Sequence, residues 1–216
     1  MTQAFDREFW EAHWQQTSAS APSHEPGPNP YLERETAALV PGSALDAGCG
    51  EGAEAIWLAA HAWNVTAADI SSSALSRASE RAAAAPITGH LQWVEADLSE
   101  WEPGVQFDLV MTHYAHPAIA QLAFYERIAA WVAPGGTLLI VGHLHSSRTP
   151  GHENLHPDEA SVTAASVTEL IDATEWTVIT ADEPERTVTN REGRTVTLHD
   201  VVVRATRRAS PASTRR

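Results

Sequence analysis

Short apolar runs alternate with longer amphipathic segments along this chain from position 44 onward. The short runs have the length of strands, and the longer segments repeat their apolar positions at helical spacing. This alternation predicts an α/β fold, a mostly parallel sheet with helices on both faces. The predicted strands are 44–47, 65–69, 91–95, 107–112, 137–142, 176–181 and 196–205, and the predicted helices between them are 53–62, 73–85, 118–132 and 166–173.

Local signals place the ends of several of these elements. Ser72 or Ser73 is expected to cap the helix at 73–85. The run Pro134-Gly135-Gly136 is expected to end the preceding helix and lead into the next strand. A tight turn at 191–194 requires the last two strands to be antiparallel.

The residues before the first strand predict a helical cap or lid. Helices are expected at 3–16 and 31–40, with a Ser/Pro/Gly-rich loop at 17–30. Trp10 and Trp14 lie four positions apart and share one helix face, which either packs in the core or covers a ligand. The expected organisation is a cap at 1–40, one domain at 41–205 and a disordered basic tail at 206–216.

Charge and composition narrow the range of possible functions. The 216 residues carry a net charge of -14, and five of the 14 basic residues follow position 203. Nucleic-acid partners are therefore not expected, since they need a basic face. No lysine is present, which excludes Schiff-base and phosphate-loop lysine chemistry, and the single cysteine allows no internal disulfide. With no apolar run of membrane-spanning length and no signal-peptide pattern, no membrane association and a cytoplasmic location are expected; the oligomeric state stays open.

A glycine-rich segment carries the candidate chemistry. Residues 44–52 read ALDAGCGEG, an apolar run that ends in an acid and is followed by three alternate glycines. Asp69 ends the next apolar run, about 20 residues further on, where a ribose-binding acid is expected. A pyrophosphate would be repelled by Glu51, whereas S-adenosylmethionine carries a sulfonium and an ammonium group. The segment therefore favours a methyl donor over NAD or FAD.

Five segments in order resemble the class I S-adenosylmethionine-dependent methyltransferases. They are LDAGCGEG at 45–52, Asp69, EADL at 95–98, FDLV at 107–110 and VAPGGTL at 132–138. The resemblance implies a single-domain Rossmann-like sheet of seven strands in the order 3-2-1-4-5-7-6, with strand 7 antiparallel. It also implies transfer of a methyl group to oxygen, nitrogen or sulfur of a small molecule. Outlying segments are similar to small bacterial enzymes related to the thiopurine and tellurite-resistance methyltransferases; they are NP at 29–30, EAIWLA at 54–59, VGH at 141–143 and VTLHD at 196–200.

The resemblance also implies a set of cofactor contacts. The expected residues are Asp46, Gly48, Cys49, Gly50, Gly52, Asp69, Ile70, Asp97, Leu98 and Thr112. Asp97 either recognises adenine or caps the turn that follows it. Cys49 is expected to be a small packed residue, not a nucleophile.

Histidines follow the fourth and fifth predicted strands, where the site of an open α/β sheet lies. His113 and His143 are the candidate bases, and the expected acceptor or lid residues are Trp10, Trp14, His116 and His145. No metal is expected; the alternative is a transition-metal site among His143, His145, His152, His156 and Asp158. Two other functions stay open, a non-catalytic S-adenosylmethionine-binding protein and an NAD-dependent oxidoreductase.

Overall fold

A computed structural model describes residues 5–18, 27–144, 162–189 and 195–209 of the chain. Its strands are β1 (Ser43–Ala47), β2 (Asn64–Asp69), β3 (Leu91–Glu95), β4 (Phe107–His113), β5 (Val132–His143), β6 (Trp176–Asp182), β7 (Glu185–Thr189) and β8 (Thr195–Arg207). Its helices are α1 (Arg7–Ser18), α2 (Pro30–Thr36), α3 (Ala53–Ala60), α4 (Ser72–Ala83), α5 (Gln121–Ala129) and α6 (Ala164–Glu169).

One sheet organises the molecule, with strands in the order β3-β2-β1-β4-β5-β8-β6. The first five of these pair in parallel, and β8 is antiparallel to both β5 and β6. The predicted fold class is therefore confirmed, because β8 is the strand that the sequence numbers as seventh.

The structure adds a strand that the pattern did not predict. β7 pairs with the first residues of β8, from Glu185↔His199 to Thr189↔Thr195. Its sequence, ERTVT, contains one aliphatic residue, so apolar periodicity alone does not reveal it. The predicted turn at 191–194 lies outside the described residues and follows β7, not β6.

Several predicted boundaries are wrong for local reasons. The α4 cap is Ser71, whose side chain accepts from the Ala74 amide, and not Ser72 or Ser73. The fifth helix ends at Ala129, because β5 already pairs with β4 at Val132. The run Pro134-Gly135-Gly136 therefore lies at an irregularity within β5, and not at the end of a helix.

The last strand extends beyond its predicted end at 205. β8 continues to Arg207, which pairs with Trp176, and the Arg208 amide donates to the Glu175 carbonyl. Residues 206–208 therefore add hydrogen bonds at this side of the sheet, and the division of the chain into cap, domain and tail stays a prediction. Positions from 210 onward lie outside the described residues.

Apolar side chains cover both faces of the sheet. One face buries Phe124, Ile128 and Val203, and the other buries Leu58, Leu109 and Met111. Continuous burial of this kind is typical of a parallel sheet between two helical layers. Among the described residues, no helix has the length and apolar character required to cross a membrane.

Candidate active site

A cavity of about 310 Å³ opens at the carboxyl ends of β1, β2 and β4, beneath α1. Its lining combines the glycine turn, the residues after β2, β3 and β4, and aromatic side chains of the amino-terminal segment. The lining residues are Phe5, Trp10, Trp14, Gly48, Cys49, Gly50, Glu54, Asp69, Ile70, Ala96, Asp97, Leu98, His113, Tyr114, Ala115, His116, Pro117, Ala118 and Phe124. Most of the predicted site residues are therefore brought together.

The turn after β1 requires glycine at its first position. Gly48 has a φ of +84°, and a Cβ there would overlap the Cβ of Ala115. The amides of Gly48 and Cys49 both donate to the Ala68 carbonyl, which fixes the turn against β2. The backbone can consequently approach a ligand closely at this point.

Asp69 is tied to the same turn. Its Oδ2 accepts from the Gly50 amide at 2.8 Å, and its Oδ1 accepts from the Ser71 amide at 2.9 Å. Burial raises the pKa of this carboxyl, against the hydrogen bonds from the Ser71 and Gly50 amides. Each oxygen has a second lone pair, so the carboxylate can also accept hydroxyl donors from a ligand.

Two further acids lie close to the turn. Asp46 is 1% exposed, and its Oδ2 has no hydrogen-bond partner among the described residues. Burial, Glu54 and Asp69 raise its pKa well above the usual range. Glu54 lines the cavity and accepts from the Asn29 amide at 2.9 Å. This concentration of carboxylates suits a cationic ligand.

The predicted role of Glu51 is wrong. Its carboxylate does not line the cavity but forms an ion pair with Arg77 at 2.7 Å. The charge argument for a cationic ligand therefore rests on Glu54, Asp69 and Asp97, and no arginine is among the described residues that line the cavity.

Three of the predicted cofactor residues, Asp46, Gly52 and Thr112, do not line the cavity. Gly52 is the N-cap of α3, where a Cβ would overlap the Trp93 ring. Thr112 is buried and donates to the Ala47 carbonyl at 2.8 Å, which joins β4 to β1. These two residues support the turn from behind.

Residues after β2 and β3 also line the cavity, and Ile70 and Leu98 are the apolar members of this group. Asp97 Oδ1 accepts from the Ser99 amide at 2.9 Å and from its hydroxyl at 2.6 Å. The capping interpretation of Asp97 is thus confirmed, and its place in the lining leaves adenine recognition as a prediction. Cys49 is buried, and burial raises the pKa of its thiol, as expected for a packed residue.

The predicted histidines differ in their contacts and in whether they line the cavity. Both ring nitrogens of His113 are shielded from solvent and have no hydrogen-bond partner among the described residues, and burial lowers the pKa of the ring. His116 Nδ1 lies 3.2 Å from Gln121 Oε1. His143 does not line the cavity but stacks on Tyr114, with ring centroids 4.2 Å apart. His113 is therefore the base candidate that the geometry favours, and His145 lies outside the described residues.

The helix α1 covers the cavity. Trp10 Nε1 donates to the His116 carbonyl at 3.1 Å, and a Cβ at Gly50 would lie 3.1 Å from the Trp14 ring. Glu11 accepts from the hydroxyls of Ser71 and Ser73 at the amino end of α4. The sequence did not identify Glu11 or Tyr114, because their partners are distant along the chain.

Replacing Glu11 with glutamine should loosen α1. Hydrogen bonds from Ser73 and Ser71 lower the pKa of Glu11 to about 2. The stabilisation from the charged Glu11 carboxylate is therefore complete above about pH 4.5 and is lost as the pH falls towards 2. The neutral amide forgoes ~1 kcal/mol at a helix amino end, and amide exchange in α1 should accelerate about fivefold. Glu126→Gln, at an exposed acid of α5, is the control; equal exchange of the α1 amides in the two variants would contradict this role of Glu11.

The described residues contain no group of three or more histidine, cysteine or acidic side chains arranged to hold a metal ion. The histidine-rich segment from His145 to Asp158 lies outside them.

Comparison with known proteins agrees with this geometry. Residues 44–136 match the family described as methyltransferase domain. A probable thiol methyltransferase of Arabidopsis thaliana is 28% identical over 136 residues, 60% of this chain and 59% of that protein. An uncharacterized methyltransferase of Mycobacterium tuberculosis is 40% identical over 99 residues, 45% of this chain and 48% of that protein. The chain thus spans about half the length of the first curated relatives that it matches.

Among solved structures, a magnesium protoporphyrin IX methyltransferase from Synechocystis PCC 6803 with bound SAH superposes with a TM-score of 0.63. The alignment covers 94% of this chain and 99% of that one, at 16% identity. At this identity the likeness shows the fold alone.

Proposed function

We propose that this chain, which carries the methyltransferase domain of the class I S-adenosylmethionine-dependent enzymes, methylates oxygen, nitrogen or sulfur of a small molecule. The observation that carries the proposal is the cavity at the glycine turn, lined by Glu54, Asp69 and Asp97 and by no arginine among the described residues. An adenosine ligand with a cationic end fits this lining, whereas a pyrophosphate does not.

Each part of the lining has a role in binding. Asp69 would accept hydrogen bonds from the ribose hydroxyls, since an acidic residue at the end of β2 is placed to bind them. Ile70 and Leu98 would enclose the adenine, with Asp97 at its edge. Glu54 would attract the ammonium group, and Asp46 Oδ2, which has no partner among the described residues, would act on it directly or through water. When bound, S-adenosylmethionine supplies an electrophilic methyl group.

The residues of the chain then have two tasks. The first is alignment of the acceptor, for which orientation can supply ~7–11 kcal/mol of barrier reduction. The second is proton removal from the acceptor, which His113 can perform because its buried ring is neutral and its nitrogens have no partner among the described residues. His143 is separated from the cavity by Tyr114 and is the weaker candidate.

The acceptor end is small and aromatic. Phe5, Trp10 and Pro117 line it, and α1 closes it from above. A small flat acceptor is accommodated there more readily than a folded macromolecule. The net charge of -14 likewise disfavours nucleic acid.

Calorimetric titration with S-adenosylmethionine, its demethylated product and NAD tests the cofactor. Binding of NAD without S-adenosylmethionine would overturn the proposal. Product formation across a panel of small thiols, phenols and amines tests catalysis. Thiols come first in this panel because one relative is described as a probable thiol methyltransferase; silence across the whole panel would favour a non-catalytic binding protein.

The pH dependence should reveal the state of His113. Burial lowers its pKa below the ordinary 6.5, and only the neutral ring accepts a proton. We therefore expect kcat/KM to fall at low pH as the ring becomes protonated, with a midpoint below 6.5. The measurement is kcat/KM for the methylated acceptor against pH; a midpoint above 6.5 would contradict the assignment.

A further inference from the structure

The unpredicted hairpin β7–β8 brings a buried ion pair next to the cavity. Arg186 on β7 pairs with Asp200 on β8, and Asp200 is completely buried. Arg186 Nη2 also donates to the Tyr114 hydroxyl at 3.1 Å. One guanidinium therefore connects the hairpin to a residue that lines the candidate active site.

Tyr114 occupies a demanding position. It follows His113 directly and has a φ of +56°, a conformation that a bulky residue adopts only when its surroundings impose it. Its amide donates to the Val141 carbonyl at 2.8 Å, and its ring stacks on His143. The contacts at its hydroxyl hold the far end of the ring.

A second contact ties Tyr114 to the amino-terminal side of the cavity. Asn29 Nδ2 donates to the Tyr114 hydroxyl at 3.1 Å, while the Asn29 amide donates to Glu54 at 2.9 Å. The same network therefore reaches a carboxylate of the proposed cofactor site from one side and the β7–β8 hairpin from the other.

Asp200 anchors the network. It accepts from the Tyr31 hydroxyl at 3.1 Å, and its Oδ1 lies 3.6 Å from His143 Nδ1. Burial would raise the pKa of Asp200, but the neighbouring His143 and Arg186 side chains lower it, so the carboxylate stays charged. A buried ion pair contributes little net stability compared with apolar packing, and its value lies in fixing one arrangement.

We propose that Arg186 is a positioning residue of the active site, which holds Tyr114 in its left-handed conformation and thereby orients the adjacent His113 towards the acceptor. This inference rests on the proposed methyl transfer. Arg186 does not line the cavity and acts only through Tyr114 and Asp200.

Arg186→Met in the full chain tests the proposal, with Arg207→Met as a matched control. Arg207 is also a strand arginine paired with a carboxylate, its side chain is 26% exposed against 25% for Arg186, and it lies away from the cavity. We expect kcat to fall about 100-fold in Arg186→Met, as for a small misplacement of a catalytic group. The Kd for S-adenosylmethionine should change less than about twofold, and Arg207→Met should keep wild-type kcat.

Conservative variants separate positioning from folding. Arg186→Lys keeps the charge but not the two-pronged donor geometry, so it should recover part of kcat. If Arg186→Met fails to fold because the buried Asp200 carboxylate loses its guanidinium partner, the double variant Arg186→Met with Asp200→Asn removes both charges and should show the same loss of kcat.

Hydrogen exchange at the Tyr114 amide provides a readout that does not depend on catalysis. It should accelerate in Arg186→Met and stay unchanged in Arg207→Met. Equal kcat and equal exchange in the two variants would overturn the proposal. A wild-type protein that binds cofactor and methylates no acceptor would contradict the proposed function instead, and the exchange comparison would still decide whether Arg186 orders Tyr114.

Discussion

Replacing Gly48 with alanine should weaken binding of S-adenosylmethionine by about 100-fold or more, which corresponds to ~2.8 kcal/mol. The φ of +84° would strain any other residue, at a cost of ~1–3 kcal/mol. The added Cβ would also overlap that of Ala115, in the loop that carries the acceptor-side residues. Relief of either conflict moves the turn whose Gly50 amide binds Asp69. Calorimetric titration of the cofactor measures the effect.

Gly135→Ala is the control for backbone strain. Gly135 has the same φ of +84° and is exposed, and no atom of the described residues lies within 4 Å of an added Cβ. Its replacement should lower the melting temperature while leaving the Kd for cofactor unchanged. If Gly48→Ala and Gly135→Ala bind the cofactor equally well, the turn after β1 is not the cofactor site.

Replacing His113 with glutamine should reduce kcat by ~10²–10⁴-fold, the usual contribution of a positioned general base. Glutamine is polar and uncharged but cannot take up a proton near neutral pH. The Kd for S-adenosylmethionine should be retained, since His113 is assigned to the acceptor and not to the cofactor. Single-turnover rates with an acceptor that must lose a proton give the cleanest measurement.

Two comparisons sharpen the test of His113. His90→Gln alters an exposed histidine outside the cavity and should keep the wild-type rate. The decline of kcat/KM at low pH should disappear in His113→Gln. A variant with undiminished kcat would show that proximity alone drives the transfer and that His113 has a packing role.

The parts of the fold that could be predicted are those specified by neighbouring residues. The central strands are buried on both faces, so each reads as an apolar run, as β1 does. The glycines of the turn and the acid at the end of the next strand lie at short, regular distances along the sequence. Gly48, Gly50 and Asp69 could therefore be predicted to lie together, and they do.

The features that escaped prediction depend on contacts between distant residues. From the sequence alone, Glu51 is predicted to face the ligand, whereas in the structure it pairs with Arg77, 26 positions further along the chain. Glu11 meets Ser71 over 60 positions, and Arg186 meets Tyr114 over 72. β7 forms because β8 offers it a pairing edge, and not because its own side chains alternate. The roles of these residues and the formation of β7 therefore depend on tertiary contacts, which the local sequence does not show.

Ser71 connects the cover of the cavity to its floor. Its amide donates to Asp69, and its hydroxyl donates to Glu11 of α1. Binding of the cofactor at Asp69, as proposed above, would therefore be coupled to docking of α1, and each would strengthen the other by the same factor. A cofactor that stabilises the docked position of α1 would dissociate more slowly, and so would the demethylated product. We expect release of that product to limit the rate of repeated turnover, because the hydrogen bonds of Ser71 would couple it to undocking of α1.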